Sequence, residues 1–285
     1  MQVLITGANG QLGRSLQRCA PKWAEINALE RDDCDFSEIA MLTARLIVEA
    51  PDVIINAAAY TAVDQAENEE DLARIVNADA VAAMAEAMSN AGGKLVHISC
   101  DLVFDGTATQ PYRPDDAPYP VCAYGRTKAQ GEKHLCAEDL LVRTSRLYAA
   151  GGNNFVSDMI RIMNARDQMD VIADQVASPT WTQGLARTIW SLVERNASGT
   201  YHHCDDGFCS WHEFAVVIAE EAHGLGLIAQ IPAIRAVASQ DYPSEACRPT
   251  FSGLDCSATR ALLKDQSASW RANLRLMLEE EATSG

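Results

Sequence analysis

The chain has 285 residues, 48% apolar and 22% charged, and its 39 acidic against 23 basic side chains leave a formal charge of −16. That length accommodates one large α/β domain with a smaller lobe, or two modest domains. The acidic balance argues against non-specific attachment to nucleic acid or to an anionic membrane, while helix N-termini and local cations still permit an anionic small ligand.

In chain order, residues 3–6 read as a short apolar strand that runs into a glycine-rich turn and a helix ending near Cys19. Residues 26–29 read as a second strand that stops at Glu30. Residues 39–49 have helical periodicity, closed by Pro51. Residues 53–56 form a buried strand, the alanine-rich stretch 72–91 a helix stopped by Gly92-Gly93, and residues 95–99 a further strand. Residues 102–120 hold four prolines and read as a long loop at the carboxyl end of that strand. Helix returns over 124–136 and strand over 140–143. The segment 151–173 leaves the regular pattern, with a helix at 155–164. Helix 182–194, strand 200–203, helix 211–223 and a closing helix at 270–281 complete the reading. Short apolar strands alternating with helices predict a mostly parallel sheet covered on both faces.

Nine cysteines are scattered without a Cys-x-x-Cys pair or zinc-like Cys/His spacing. An odd, dispersed set predicts free thiols in a reducing cytoplasm, with no disulfide framework and no metal. The N-terminus Met1-Gln2-Val3-Leu4-Ile5 lacks a basic flank and reads as the first core strand, not as a signal peptide. No run of 18 apolar residues occurs, so no membrane span is expected.

Gly7, Gly10 and Gly13 follow the first strand and open the first helix. Gly7 suits a tight turn, Gly10 the close approach of a pyrophosphate, and Gly13 the packing of helix on strand. Their spacing, Gly-x-x-Gly-x-x-Gly, departs from the standard Gly-x-Gly-x-x-Gly. The intervening Asn9, Gln11 and Leu12 belong to the same candidate dinucleotide site. Glu30 could accept hydrogen bonds from an adenosine ribose, whereas Arg31 could pair with a 2′-phosphate. Asp35 and Phe36 could flank an adenine. Both NADH and NADPH therefore stay open. The fold class that follows is a Rossmann-type doubly wound parallel sheet with a smaller, discontinuous α/β substrate-binding lobe. Residues 1–150 form the dinucleotide-binding domain, completed by about 174–204. Residues from about 151–173 and 205–285 form the lobe.

Tyr124 and Lys128 are four residues apart, so on a helix they share one face. An ammonium beside a phenol favours the phenolate, which suits a Tyr that donates a proton to a forming alkoxide.

These residues, together with longer strings, resemble the extended short-chain dehydrogenase/reductase superfamily and, within it, the dTDP-4-dehydrorhamnose reductase family. The matching strings include Asn56 to Asp64 (Asn-Ala-Ala-Ala-Tyr-Thr-Ala-Val-Asp), Val103-Phe104-Asp105-Gly106, Arg143-Thr144-Ser145, Gly152-Asn153-Asn154-Phe155 and Arg248-Pro249. The resemblance implies that Tyr124 is the general acid and Lys128 its partner. It also implies that Ala58, Tyr60 and Asn77 line or support the cofactor cleft. Asn153, Asn154 and Arg248 would lie near the nucleotide-sugar, with Leu102, Phe104 and Arg146 on the sugar side. Arg248 would suit a diphosphate through its rigid donor fork, against the plainer reading of an inter-lobe ion pair.

The chain departs from the family in three places. Cys100 stands where the family has the Thr of its catalytic set, Leu102 replaces a Tyr, and Arg146 replaces a Trp. A thiol is a weaker donor, and a cation in the sugar wall would favour a more acidic sugar or an added anionic group. A Glu that serves a metal-linked dimer in some members is Ser15 here, so no metal is carried over and a homodimer is left open. The leading expectation is reduction of the C4 carbonyl of dTDP-4-dehydro-β-L-rhamnose with NADH or NADPH. The alternatives are a reductase for a different nucleotide-linked 4-keto-6-deoxy sugar, or a catalytically weak cofactor-binding regulatory or scaffold protein.

Overall fold

The computed structural model describes residues 1–265 and 268–284. Its centre is a six-stranded, wholly parallel sheet. The elements of the first half are β1 (Gln2–Thr6), α1 (Gln11–Arg18), β2 (Glu25–Leu29), α2 (Ile39–Glu49), β3 (Val53–Asn56), α3 (Glu70–Arg74), α4 (Ala80–Ala91), β4 (Lys94–Cys100), α5 (Ala123–Glu132) and β5 (Leu140–Thr144). The second half contributes β6 (Leu147–Tyr148), α6 (Phe155–Met163), β7 (Gln168–Ile172), β8 (Val176–Ala177), β9 (Thr180–Trp181), α7 (Thr182–Glu194), β10 (Gly199–His202), β11 (Cys209–Ser210), α8 (Trp211–Gly224), β12 (Ala233–Val237), α9 (Ser257–Leu263) and α10 (Trp270–Ser284). Strand order across the main sheet is β2-β1-β3-β4-β5-β10.

The period-two alternation of the strands sorts their side chains into two cores. Val3, Ile5, Val53, Ile55, Val96, Ile98, Leu140 and Val142 pack under α1 and α7. Leu4, Ile54 and Leu95 pack under α2 and α4 on the opposite face. This is the doubly wound Rossmann-type arrangement. Chain order reverses at β1, whose neighbours are β2 on one side and β3 on the other, and a crevice opens there at the strands' carboxyl ends. Ser15 is buried in the α1–α7 contact, where its hydroxyl bonds Thr182 at 2.8 Å.

The smaller lobe has its own core, in which Tyr148, Val156 and Phe214 pack with Trp270, Leu274 and Leu278 of α10. The lobe is discontinuous because α7 and β10 return to the main sheet between its pieces. Its strands β7 and β12 pair in parallel, as do β6 and β9, while β8 and β11 pair antiparallel. These two- to five-residue pairings lack a sequence pattern of their own.

Two predicted helices are corrected. The stretch read as one helix over 72–91 starts at Glu70 and carries a π-helical segment, Ile75–Asp79, between α3 and α4. The helix read over 124–136 is Ala123–Glu132, and Cys122 caps its start by accepting the Gly125 N–H on sulfur at 3.4 Å. Among the described residues no helix is long and apolar enough to cross a membrane.

Candidate active site

A cleft of about 860 Å³ runs along the carboxyl ends of the strands, between the main sheet and the smaller lobe. Gly7, Asn9, Gly10, Gln11 and Leu12 form one end of its wall. Gly7 has φ +65°, and a Cβ there would lie 2.7 Å from the Ala58 amide nitrogen. Gly13 lies outside the wall but lets it form, since a Cβ there would stand 2.2 Å from the Gly7 carbonyl oxygen. Gly10 caps α1 without any side-chain hydrogen bond. A cradle too tight for side chains, leading into an uncapped helix N-terminus, fits the pyrophosphate of a dinucleotide.

Glu30, Arg31, Asp35 and Phe36 line the cleft beyond the end of β2. Hydrogen bonds from the Ser37 backbone and hydroxyl hold the Asp35 carboxyl below the usual range. Ala58 and Tyr60 line the opposite wall, where the Tyr60 hydroxyl donates to Glu69 at 2.7 Å. Asn77 is buried behind that wall. It accepts the Tyr60 N–H at 2.9 Å and donates to the Tyr60 carbonyl and to Thr127 Oγ1 at 3.2 and 3.1 Å. The π-helical segment thus ties the loop after β3 to α5, and Asn77 supports the cleft without touching it.

Tyr124 and Lys128 project from one face of α5 into the middle of the cleft, beside Cys100 at the end of β4. Lys128 Nζ donates to the Ile98 carbonyl at 2.7 Å, and burial pulls its pKa down. The expectation that Lys128 lowers the Tyr124 pKa is corrected. Burial first, then the neighbouring Cys100, push Tyr124 well above the usual phenol value. Burial also pushes the Cys100 thiol up to about 12, so it stands as a neutral thiol.

The predicted sugar-side residues divide. Leu102, Arg146, Asn153, Asn154 and Arg248 line the cleft. Phe104 does not: it is fully buried, stacked on Tyr112 at 4.1 Å with the Arg143 guanidinium 5.1 Å from its ring centre. Apolar area and a cation draw that ring into the core. Asn154 caps α6, accepting the N–H groups of Val156 and Ser157, and its amide donates to Gln11 at 2.9 Å. The Asn153 carbonyl lies 3.5 Å from the Gln11 amide nitrogen. Both asparagines therefore abut the glycine-rich turn. Arg248 makes a two-pronged bond to Asp64 at 2.9 and 2.7 Å, the inter-lobe ion pair of the plainer reading, and this holds the Asp64 carboxyl well below its ordinary range.

Arg146 is not a free cation. Its φ is +47°. Its guanidinium donates to the Cys209 and Gln175 carbonyls at 2.9 and 2.8 Å and lies 3.9 Å from the Trp211 ring centre. Burial lowers its pKa to about 10.

Sequence reasoning gave no role to several wall residues. Asp101 accepts hydroxyl bonds from Ser145 and Ser252 at 2.9 and 2.5 Å, and burial pushes its carboxyl up. Asp101 is adjacent to Cys100 and could have been singled out from that position. Ser252, Gln175 and Trp211 arrive from distant chain, with no local signal to announce them.

The chain matches the family described as RmlD substrate binding domain over residues 1–283. It is 36% identical over 285 residues to the dTDP-4-dehydrorhamnose reductase of Aggregatibacter actinomycetemcomitans, spanning 96% of this chain and 97% of that one. A dTDP-4-dehydrorhamnose reductase structure from Clostridium acetobutylicum, 35% identical, superposes with a TM-score of 0.91 over 98% of this chain and 99% of that one. The Bacillus anthracis dTDP-4-dehydrorhamnose reductase in complex with NADP, 36% identical, has the same score of 0.91 and the same coverage, 98% and 99%.

Proposed function

The chain belongs to the dTDP-4-dehydrorhamnose reductase family, and from that premise we propose that it reduces the C4 carbonyl of dTDP-4-dehydro-β-L-rhamnose to give dTDP-β-L-rhamnose. As a family member it is an NAD(P)H-dependent oxidoreductase acting on a 4-keto-6-deoxy nucleotide sugar. The observation that carries the finer reading is one cleft lined at its centre by Tyr124 and Lys128, at one end by the glycine-rich turn and at the other by Arg248.

The reduced nicotinamide, when bound, supplies the hydride. The Gly7–Leu12 turn and the N-terminus of α1 would hold the pyrophosphate, and Glu30 and Arg31 would receive the adenosine end, an arrangement compatible with NADH or NADPH. The Tyr124 hydroxyl gives its proton to the carbonyl oxygen as charge builds there. A phenol held neutral by burial keeps that proton until an alkoxide forms beside it. Lys128 sits one turn away and balances the charge left on Tyr124. Cys100 occupies the polarising position, where a thiol donates weakly. The buried walls hold the reactants in register and keep water off the carbonyl.

The test is oxidation of each reduced cofactor with dTDP-4-dehydrorhamnose and a panel of related 4-keto sugars. Tyr124→Phe is expected to lower kcat by about 100- to 10,000-fold while melting like the parent. A variant as active as the parent would refute Tyr124 as proton donor. A second reading, a different 4-keto-6-deoxy sugar, draws on Leu102 and on Arg146 stacked against Trp211 in the sugar wall. It gains if another sugar of the panel is turned over faster.

A further inference from the structure

The first helix gives the cleft a cation that the glycine-rich turn does not itself contain. Leu12, Gly13, Ser15 and Leu16 are the buried residues of α1. Gln11 and Arg14, three residues apart and so neighbours on the helix surface, both line the cleft. Arg14 is exposed. Its guanidinium donates to the Asn9 carbonyl, inside the turn, at 2.6 Å. A second nitrogen lies 3.4 Å from the Gly151 carbonyl, in the segment that leads into α6. Both acceptors are neutral, so the charge of Arg14 is not cancelled, and its remaining N–H donors stay open. Among the described residues Arg14 makes no ion pair.

Five cations line the cleft: Arg14, Arg31, Lys128, Arg146 and Arg248. Arg248 is paired with Asp64, Arg146 is held by two carbonyls at the sugar end, and Lys128 is buried one helical turn from Tyr124. Arg31 lies beyond the end of β2, where its charge acts on Asp35. Arg14 is the one of the five that stands at the glycine-rich turn. A charge is needed there. A helix N-terminus is equivalent to only about half an elementary charge. A dinucleotide pyrophosphate brings two negative charges into a protein of formal charge −16. The glycine cradle supplies room and directed N–H groups, and a guanidinium on the first turn of the same helix supplies the missing charge.

We propose that Arg14 is a binding residue for the dinucleotide pyrophosphate, the cationic fork that completes the glycine cradle. This rests on the reading of the cleft as a dinucleotide site. An arginine suits the task because it stays charged at every working pH and its planar donors match phosphate oxygens. The bond to the Asn9 carbonyl holds the guanidinium beside the turn before any ligand arrives, so less side-chain freedom is lost on binding. The assignment separates two cations that sequence alone would treat alike. The pyrophosphate is common to NADH and NADPH, whereas the 2′-phosphate is present in NADPH only. Arg14 therefore strengthens both cofactors equally, and the choice between them is left to Glu30 and Arg31 at the adenosine end.

The test is the Kd of the full-length protein for NADPH, NADH and ADP-ribose, measured by titration calorimetry at about 20 mM and about 500 mM salt. Arg14→Gln keeps a donor for the Asn9 carbonyl and removes the charge. It is expected to weaken all three ligands by about fivefold at low salt, and by much less at high salt. Arg14→Lys, which keeps the charge, should restore most of the affinity. Adenosine, which carries no phosphate, should bind the parent and Arg14→Gln alike when followed by ligand NMR. Because Arg14 is exposed, both variants should melt like the parent. An Arg14→Gln protein that binds ADP-ribose as tightly as the parent overturns the proposal. So does a loss that is equal at both salt concentrations and not rescued by Lys, which would make Arg14 a clamp of the turn and nothing more. A loss confined to NADPH also overturns it, since it would move Arg14 to the 2′-phosphate. A parent that binds none of the three dinucleotide ligands would refute the dinucleotide reading itself, and the proposal with it.

Discussion

The two ends of the cleft are built differently. At the dinucleotide end the wall is glycine backbone and an uncapped helix N-terminus. At the sugar end the two named cations already have protein partners: Arg248 holds Asp64, and Arg146 holds two carbonyls. A ligand at the first end fills a prepared cradle. A ligand at the second must exchange bonds, so the difference in binding free energy between bound and internal partners decides which sugars are accepted.

The largest expected effect tests how rigid the first end is. Gly13→Ala places a Cβ 2.2 Å from the Gly7 oxygen and 2.7 Å from the Ala8 Cα, both backbone atoms that cannot move aside alone. It should cost about 3 kcal/mol of stability by denaturant titration and weaken NADPH binding. Unchanged stability and binding would mean that the turn is pliable, and the contrast between the two ends would fail.

Arg146→Trp probes the second end by restoring the family's aromatic residue. The variant loses the bonds to the Gln175 and Cys209 carbonyls and puts a bulky side chain at φ +47°. A loss of about 2 kcal/mol is expected in the same titration, alongside a changed order of preference in the 4-keto sugar panel. If both stability and sugar preference stay as in the parent, the guanidinium is not a working part of the wall.

The smallest effect concerns Asp64. Its carboxyl is held below the ordinary range first by the Arg248 side chain. A group whose folded pKa is depressed stabilises above its unfolded value and loses that contribution as pH falls through the folded one. Asp64→Asn should therefore flatten the stability loss below about pH 4. Since Asp64 is half exposed, added salt should shrink the effect. A parent and variant with identical acid limbs would show that the ion pair contributes nothing there.

Local pattern was enough where function depends on a short segment. The strand–glycine–helix unit and the Tyr124/Lys128 spacing are both set by backbone geometry over fewer than ten residues, and both could be read directly. Phe104 was misjudged because its string is adjacent to Leu102 in sequence, while its ring meets Tyr112 and Arg143 in the core. Asn154 did carry a legible signal, an Asn three residues before Ser157, which is the spacing of a reciprocal helix cap.

By itself the amino-acid sequence determined the alternating architecture, the dinucleotide turn and the phenol–amine face of α5, because helix and strand periods and glycine sterics are properties of neighbouring residues. Only the tertiary structure decided that Arg248 meets Asp64, that Arg146 lies on Trp211, and that Ser15 meets Thr182. Those pairings join segments far apart in the chain, and their energies depend on burial and direction, which come into existence only when the sheet and the lobe are assembled.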